Sequence, residues 1–135
     1  MAGYSGTPLP KKLGIKPQFR VAFFQLPGDV KTELKDALSE CQVVKDGSPE
    51  QLDFAILFAK SQADMKEQFP KFARRLALAG MLWVCWPKKA SGIVTDLGEH
   101  DVMRIGLAAG LVDVKVCAVN EVWSGLKFVI RVKDR

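Results

Sequence analysis

A chain of 135 residues with 48% hydrophobic and 26% charged side chains has the composition of a globular protein and excludes the low-hydrophobicity, high-charge regime of disordered chains. Its formal charge of +5 and pI near 9.2 attract polyanions weakly. Three widely spaced cysteines, Cys41, Cys85 and Cys117, without a CxxC, argue against a disulfide framework or a zinc site, and the longest apolar run, Met81 to Pro87, is too short to span a bilayer.

The amino-terminal stretch MAGYSGTPLPKKLG lacks the apolar core of a secretory signal, and the free thiols fit a reducing compartment, so a cytoplasmic protein is expected. Residues 1–18 carry Gly3, Gly6, Pro8, Pro10, Gly14 and Pro17, which predicts an irregular arm with at most one helical turn around Leu9–Leu13. Such an arm, with Tyr4, Ser5, Gly6, Thr7 and the Lys11-Lys12 pair, either folds over the ligand-facing edge as a lid, is disordered, or binds a partner chain. Phe19–Leu26 (FRVAFFQL) is a near-continuous apolar run closed by Pro27-Gly28 and predicts a strand buried on both faces. Asp29 can cap a helix bearing Val30, Leu34, Ala37 and Leu38 at helical spacing. Cys41–Val44 is a short strand, Asp46-Gly47-Ser48-Pro49 a turn, and Leu52–Ala59 a second buried strand.

Ser61 with Asp64 has the form of a capping box for a helix whose inward positions are Met65, Phe69, Phe72, Leu76 and Ala79, with a kink or second start at Pro70 and a stop at Gly80. Met81–Trp86 is the third strong strand. Asp96 with Glu99 can start a further helix carrying Val102, Ile105 and Ala109 and ending at Gly110. Strands at Val112–Val119 and Leu126–Val132 are joined by a turn at Asn120-Glu121-Val122-Trp123-Ser124-Gly125, too short for a crossover, so they pair antiparallel. Alternating strands and helices predict one α/β domain over 1–135, with its core at 19–132 built as a three-layer sandwich around a mostly parallel sheet. Val44 and Leu52 are closer than a normal crossover requires, so the short second strand is either a frayed edge or pairs differently.

The segment FPKFARRLALAGMLWVCWPK is similar to the helix, glycine turn and strand of the Rossmann-like core of class I S-adenosylmethionine methyltransferases, and the closing hairpin is similar to their final antiparallel pair. That resemblance covers Phe19 to Val132 and implies the strand order 2-1-3-4-6-5. The chain departs from the pattern at the turn after the first strand, Gln25-Leu26-Pro27-Gly28-Asp29, which has a single glycine where backbone must approach a cofactor. Only Asp46 stands near the position of the ribose-binding acid. A closer resemblance, carried by AGYSGTPLPKKLGIKP, WPKKASGIVTDL and GLAAGLVDVKVCAVNEVWSGLKFVIRVKDR, is to a bacterial family of small domains of unknown function, number 3052. It covers essentially the whole chain and implies no catalytic residue.

In this arrangement strands one, three, four and five end on one edge, where open α/β sheets hold ligands. The loop after strand four brings Trp86, Lys88, Lys89, Ser91, Gly92 and Thr95; the hairpin brings Asn120, Glu121, Trp123, Ser124 and Gly125; strand one brings Gln25 and Gly28. The two lysines, the hydroxyls and the amino end of the Asp96 helix are what a small anionic ligand requires. The plain alternative is solvated loop charge with turn and cap chemistry. Trp123 either stacks on a planar ligand or folds back as a lid on the core. His100, beside Glu99 and Asp101, is expected on a solvated helix surface, and no metal site is expected. The resulting expectation is a binding domain for a small anionic ligand or a protein partner, with cofactor unknown. A divergent methyltransferase and a weak nucleic-acid-binding module, the latter requiring steep salt dependence, are the alternatives.

Overall fold

The computed structural model describes residues 6–45 and 47–135. Tyr4, Ser5 and Asp46, to which the sequence assigned lid and ribose-binding positions, lie outside the described residues. In chain order the elements are α1 (Leu9–Leu13), β1 (Arg20–Phe24), α2 (Gly28–Leu38), β2 (Gln42–Val43), β3 (Leu52–Phe58), α3 (Gln62–Ala73), β4 (Leu76–Pro87), a 3₁₀ turn (Lys89–Ser91), α4 (Glu99–Ala108), β5 (Leu111–Ala118), β6 (Trp123–Ile130) and a closing 3₁₀ turn (Val132–Asp134). The strands form one six-stranded sheet in the order β2-β1-β3-β4-β6-β5. β2, β1, β3 and β4 run parallel, and β6 pairs antiparallel with β4 on one side and β5 on the other. The anticipated strand order is therefore the observed one.

The continuous apolar runs have a simple cause: both faces of the central strands are covered, and successive side chains point to opposite faces. On one face, Leu57, Leu82, Val84, Trp86, Leu126 and Phe128 meet Met65, Phe69 and Phe72 of α3 and Val102 and Ile105 of α4. On the other, Phe54, Ile56, Phe58, Trp83, Cys85 and Trp123 meet Leu9 and Leu13 of α1 and Val30 and Leu34 of α2. The arm is thus docked over its described part. Leu13 is fully buried, and the Trp83 indole N–H donates to the Leu13 carbonyl at 2.9 Å. Residues 9–13 cover a sheet face, and Lys12 Nζ donates to the carbonyl of Ala118, the last residue of β5, at 2.8 Å. Across the α4 layer, Phe69 and Phe128 meet edge to face at 5.1 Å, and Gly106 of α4 lies against the Phe128 ring, where a Cβ would collide with it.

At the amino end of the parallel strands, Arg20 grips Asp53 with two side-chain hydrogen bonds, Nε to Oδ2 at 3.0 Å and Nη2 to Oδ1 at 3.1 Å. The Arg20 backbone N–H donates to the same carboxylate at 2.8 Å. Hydrogen bonding from Arg20 holds the Asp53 carboxyl below its ordinary range. No helix among the described residues is long and apolar enough to cross a membrane.

Several boundaries differ from the sequence expectation. Leu76 and Ala79 are not on the third helix: α3 ends at Ala73 and β4 begins at Leu76. Leu52 pairs with Leu76 and Phe54 with Met81, so Ala77–Gly80 bulge opposite Asp53. A Cβ on Gly80 would lie 2.6 Å from the Leu52 carbonyl oxygen, so this glycine permits close approach of two strands and does not stop a helix. α3 runs unbroken through Pro70 instead of restarting. The second strand is the frayed-edge alternative, two parallel residues beside β1. Trp123, Ser124 and Gly125 belong to β6 and not to the turn, because they continue the ladder opposite Pro87, Trp86 and Cys85. Gly110 does end α4, at φ 98°.

Candidate functional site at the carboxyl edge of the sheet

β1, β3, β4 and β5 finish on one edge, and the antiparallel β6 begins there. The segments that converge are Gln25–Asp29, Ala59–Gln62, Lys88–Leu97 and Val119–Val122. Two of them are joined directly, since the Lys88 N–H donates to the Val122 carbonyl at 2.8 Å. Gln25 adopts φ 54°, a left-handed conformation that turns the chain sharply out of β1 into Pro27 and α2.

The residues singled out in the sequence are brought to this edge, but they divide by role. Trp86 and Trp123 are each 6% exposed and sit in the two opposite core layers, with Trp123 meeting Phe58 edge to face at 5.1 Å. The Asn120 carboxamide oxygen accepts the N–H groups of Val122 and Trp123, both at 2.9 Å, and so builds the hairpin turn. Its amide donates to Asp29 Oδ2 at 3.3 Å. Ser91 donates to the Lys88 carbonyl at 2.6 Å and accepts from Ile93 N–H, and Thr95 Oγ1 accepts from Leu97 N–H. Ser124 is half-buried within β6, and Glu121 is exposed at the turn. Lys88 and exposed Lys89 make no side-chain hydrogen bond or ion pair among the described residues, and on the same loop Val94 is 93% exposed.

Three helices begin at this edge, and each amino end is met by a carboxylate of the chain itself. Asp29 Oδ1 accepts Val30 N–H at 2.9 Å in the first turn of α2, a position inside the helix and not the cap anticipated for it. Asp96 does not start α4. Its Oδ1 accepts Gln62 N–H at 2.8 Å at the start of α3, where Ser61 caps Asp64 N–H as its spacing suggested. α4 begins after Gly98, whose N–H donates to Asp101 Oδ2 at 3.0 Å. One N–H at each of these positive helix ends is thus taken by a carboxylate of the chain, Asp29, Asp96 or Asp101. Nothing local in the sequence announced the long-range role of Asp96.

The thiols do not supply a nucleophile here. Cys85 is fully buried, and burial pushes its thiol well above the usual value. Burial also raises Cys117, against the opposing charges of Lys12, Lys115 and Lys88. No group of three or more His, Cys, Asp or Glu among the described residues is arranged to hold a metal ion, and His100 is exposed.

The model of a family described as "Protein of unknown function (DUF3052)" matches residues 10–132. The chain belongs to the DUF3052 family. No curated protein matches it in sequence. Among solved structures the DUF3052 chain is similar in fold to the magnesium protoporphyrin IX methyltransferase of Synechocystis PCC 6803 with bound SAH, at 10% identity and TM-score 0.58, covering 90% of this chain and 78% of that one. It is also similar to the CcbJ methyltransferase of Streptomyces caelestis, at 8% identity and TM-score 0.60, over 91% of this chain and 92% of that one. A TehB-like SAM-dependent methyltransferase of Corynebacterium glutamicum aligns at 11% identity and TM-score 0.56, over 96% and 91%. At such identities the likeness is one of fold, a Rossmann-like methyltransferase architecture.

Proposed function

We propose that this DUF3052 protein is a binding domain that keeps a methyltransferase-type sheet and docks an acidic surface of a protein partner through the loop between β4 and α4. The carrying observation is the contrast at one edge: Asp29, Asp96 and Asp101 neutralise the helix ends, while Lys88 and Lys89 carry no partner among the described residues and Val94 projects beside them. A small anion would need the helix dipoles that these carboxylates already use. An acidic surface needs only the outward cations and a place for one apolar side chain.

The reading is tested by quantitative affinity capture from cells of the source, comparing the parent with the Lys88→Glu, Lys89→Glu, Val94→Asp triple variant. The captured partner is lost with the variant and retained by a control carrying Lys31→Glu and Lys35→Glu on exposed positions of α2. Equal capture by the triple variant refutes it. The fold likeness supports a second reading, a divergent methyltransferase, which requires S-adenosylmethionine to bind. Against that reading stands Asp29, whose carboxylate lies in the single-glycine turn after β1. Calorimetric titration with S-adenosylmethionine and its demethylated product is expected to be flat, and saturable heat would install the methyltransferase reading in its place.

A further inference from the structure

The connection from β2 to β3, between Val44 and Leu52, is too short to carry a helix across the sheet. On the α3 side of the sheet α3 packs over β3 and β4, and α4 over β5 and β6. Among the described residues no helix packs over the β1 end of that face, and a cavity of about 570 Å³ opens there, within the roughly 300–1,000 Å³ of small-molecule sites. Its apolar lining is aromatic, with Phe24 at the end of β1 and Phe72 of α3. Its rim is cationic: Lys71, Arg74 and Arg75 project from the last turn of α3 and the residues after it, with the Gln68 carboxamide one turn earlier and the loop at Gly47–Ser48 opposite.

The cations are weakly engaged. Among the described residues Lys71 pairs only with Glu67, at 3.8 Å and with both side chains largely exposed. The Arg74 guanidinium has no hydrogen-bond or ion-pair partner among the described residues, and its backbone N–H donates to the Pro70 carbonyl at 3.1 Å. Arg75 Nη2 makes two long bonds, to the carbonyls of Glu50 at 3.4 Å and Lys45 at 3.5 Å. Its Nε is buried without any hydrogen-bond partner among the described residues. A buried donor left unmatched is costly and invites an acceptor. Aromatic walls, one carboxamide that can both donate and accept, and guanidinium forks suited to phosphate oxygens define one chemistry.

We infer that this groove binds a phosphorylated ring compound of nucleotide size, with the ring against Phe24 and Phe72 and the phosphate on Lys71, Arg74 and Arg75. The site is separate from the Lys88–Lys89 loop, so its success or failure does not depend on the partner-docking reading. The test is calorimetric titration of the full chain with adenosine and guanosine 5′-monophosphates, adenosine alone and ribose 5-phosphate alone. A nucleoside monophosphate binds, and either half-molecule binds at least about tenfold more weakly. Arg74→Glu and Lys71→Ala, both at exposed positions and checked for unchanged circular dichroism, each weaken nucleotide binding by about tenfold or more. Lys88→Ala with Lys89→Ala leaves it unchanged. Three results overturn the inference: no heat from either nucleotide, nucleotide affinity indifferent to Arg74→Glu, or ribose 5-phosphate binding as tightly as the nucleotides.

Discussion

Trp123 offers the sharpest test of how the carboxyl edge is built. A tryptophan placed to stack on a ligand is free to change without great loss of stability, whereas one that closes the core is not. Here the side chain is 6% exposed, lies in the layer of α1 and α2, and meets Phe58 at 5.1 Å with the rings 89° apart. Truncating a buried tryptophan costs about 3–5 kcal/mol, of which roughly 0.5–1.5 kcal/mol belongs to the aromatic pair itself. For a chain of this size about 1 kcal/mol moves the melting temperature by roughly 4 °C, so Trp123→Ala should melt about 12–20 °C below the parent. Urea unfolding followed by far-ultraviolet circular dichroism measures the loss without depending on the removed fluorophore. A double-mutant cycle with Phe58→Leu should return a coupling of about 0.5–1.5 kcal/mol. If Trp123→Ala stays within about 0.5 kcal/mol of the parent, the range of an exposed position, the core-lid assignment is refuted.

Gly106→Ala should destabilise by about 1–3 kcal/mol in a thermal melt, because the new Cβ meets the buried Phe128 ring that Phe69 holds in place. Helix propensity alone predicts a gain of about 1 kcal/mol, so a stabilised variant would show that the ring moves freely; Phe128→Leu in the same chain should recover part of the loss. Asp53→Asn tests the Arg20 pair through pH. Arg20 lowers the Asp53 carboxyl from an ordinary value near 3.8, so its stabilisation is complete above that value and vanishes as pH falls through the lower folded one. The variant should therefore have a lower urea midpoint than the parent at pH 7, with the gap closing only below about pH 4; a gap independent of pH would mean the ion pair is not its source.

The parts of this fold legible in the sequence are those in which a single stretch carries the cause. FRVAFFQL, LDFAILFA and MLWVCW are apolar at nearly every position because both faces of their strands are covered, the exceptions inside the strands, Arg20 and Asp53, pairing with each other, and each reads as a strand without help from the rest of the chain. The stretch RRLALAG is different. Leucine and alanine there read as helix continuing to Gly80, and only the approach of β3, with Leu52 donating its N–H to the Arg75 carbonyl, draws the segment into β4. Ser124-Gly125 reads as a turn for the same local reason, and the ladder to β4 overrides it. At the candidate site, the convergence of the β4 loop and the hairpin followed from topology. The division of labour within it did not, because the bonds of Asp96 to Gln62 and of Asn120 to Asp29 join residues distant in sequence. The cavity beside α3 stands between these cases: the short span from Val44 to Leu52 was visible, while its aromatic floor and cationic rim emerge only when β1 and α3 are brought together.

The place of β6 sets an order of assembly. It is the sixth strand in sequence, yet it lies between β4 and β5 and supplies the partner for every residue of β4 from Met81 to Pro87. A chain emerging from its amino end therefore presents β4 with one side open, and this apolar strand edge stays available for pairing with other chains until residues 123–130 have been made. The synthesis of this protein passes through a stage in which a largely buried apolar strand has one edge unpaired, and closure of the β5–β6 hairpin, with Asn120 ordering its turn, is what ends that exposure.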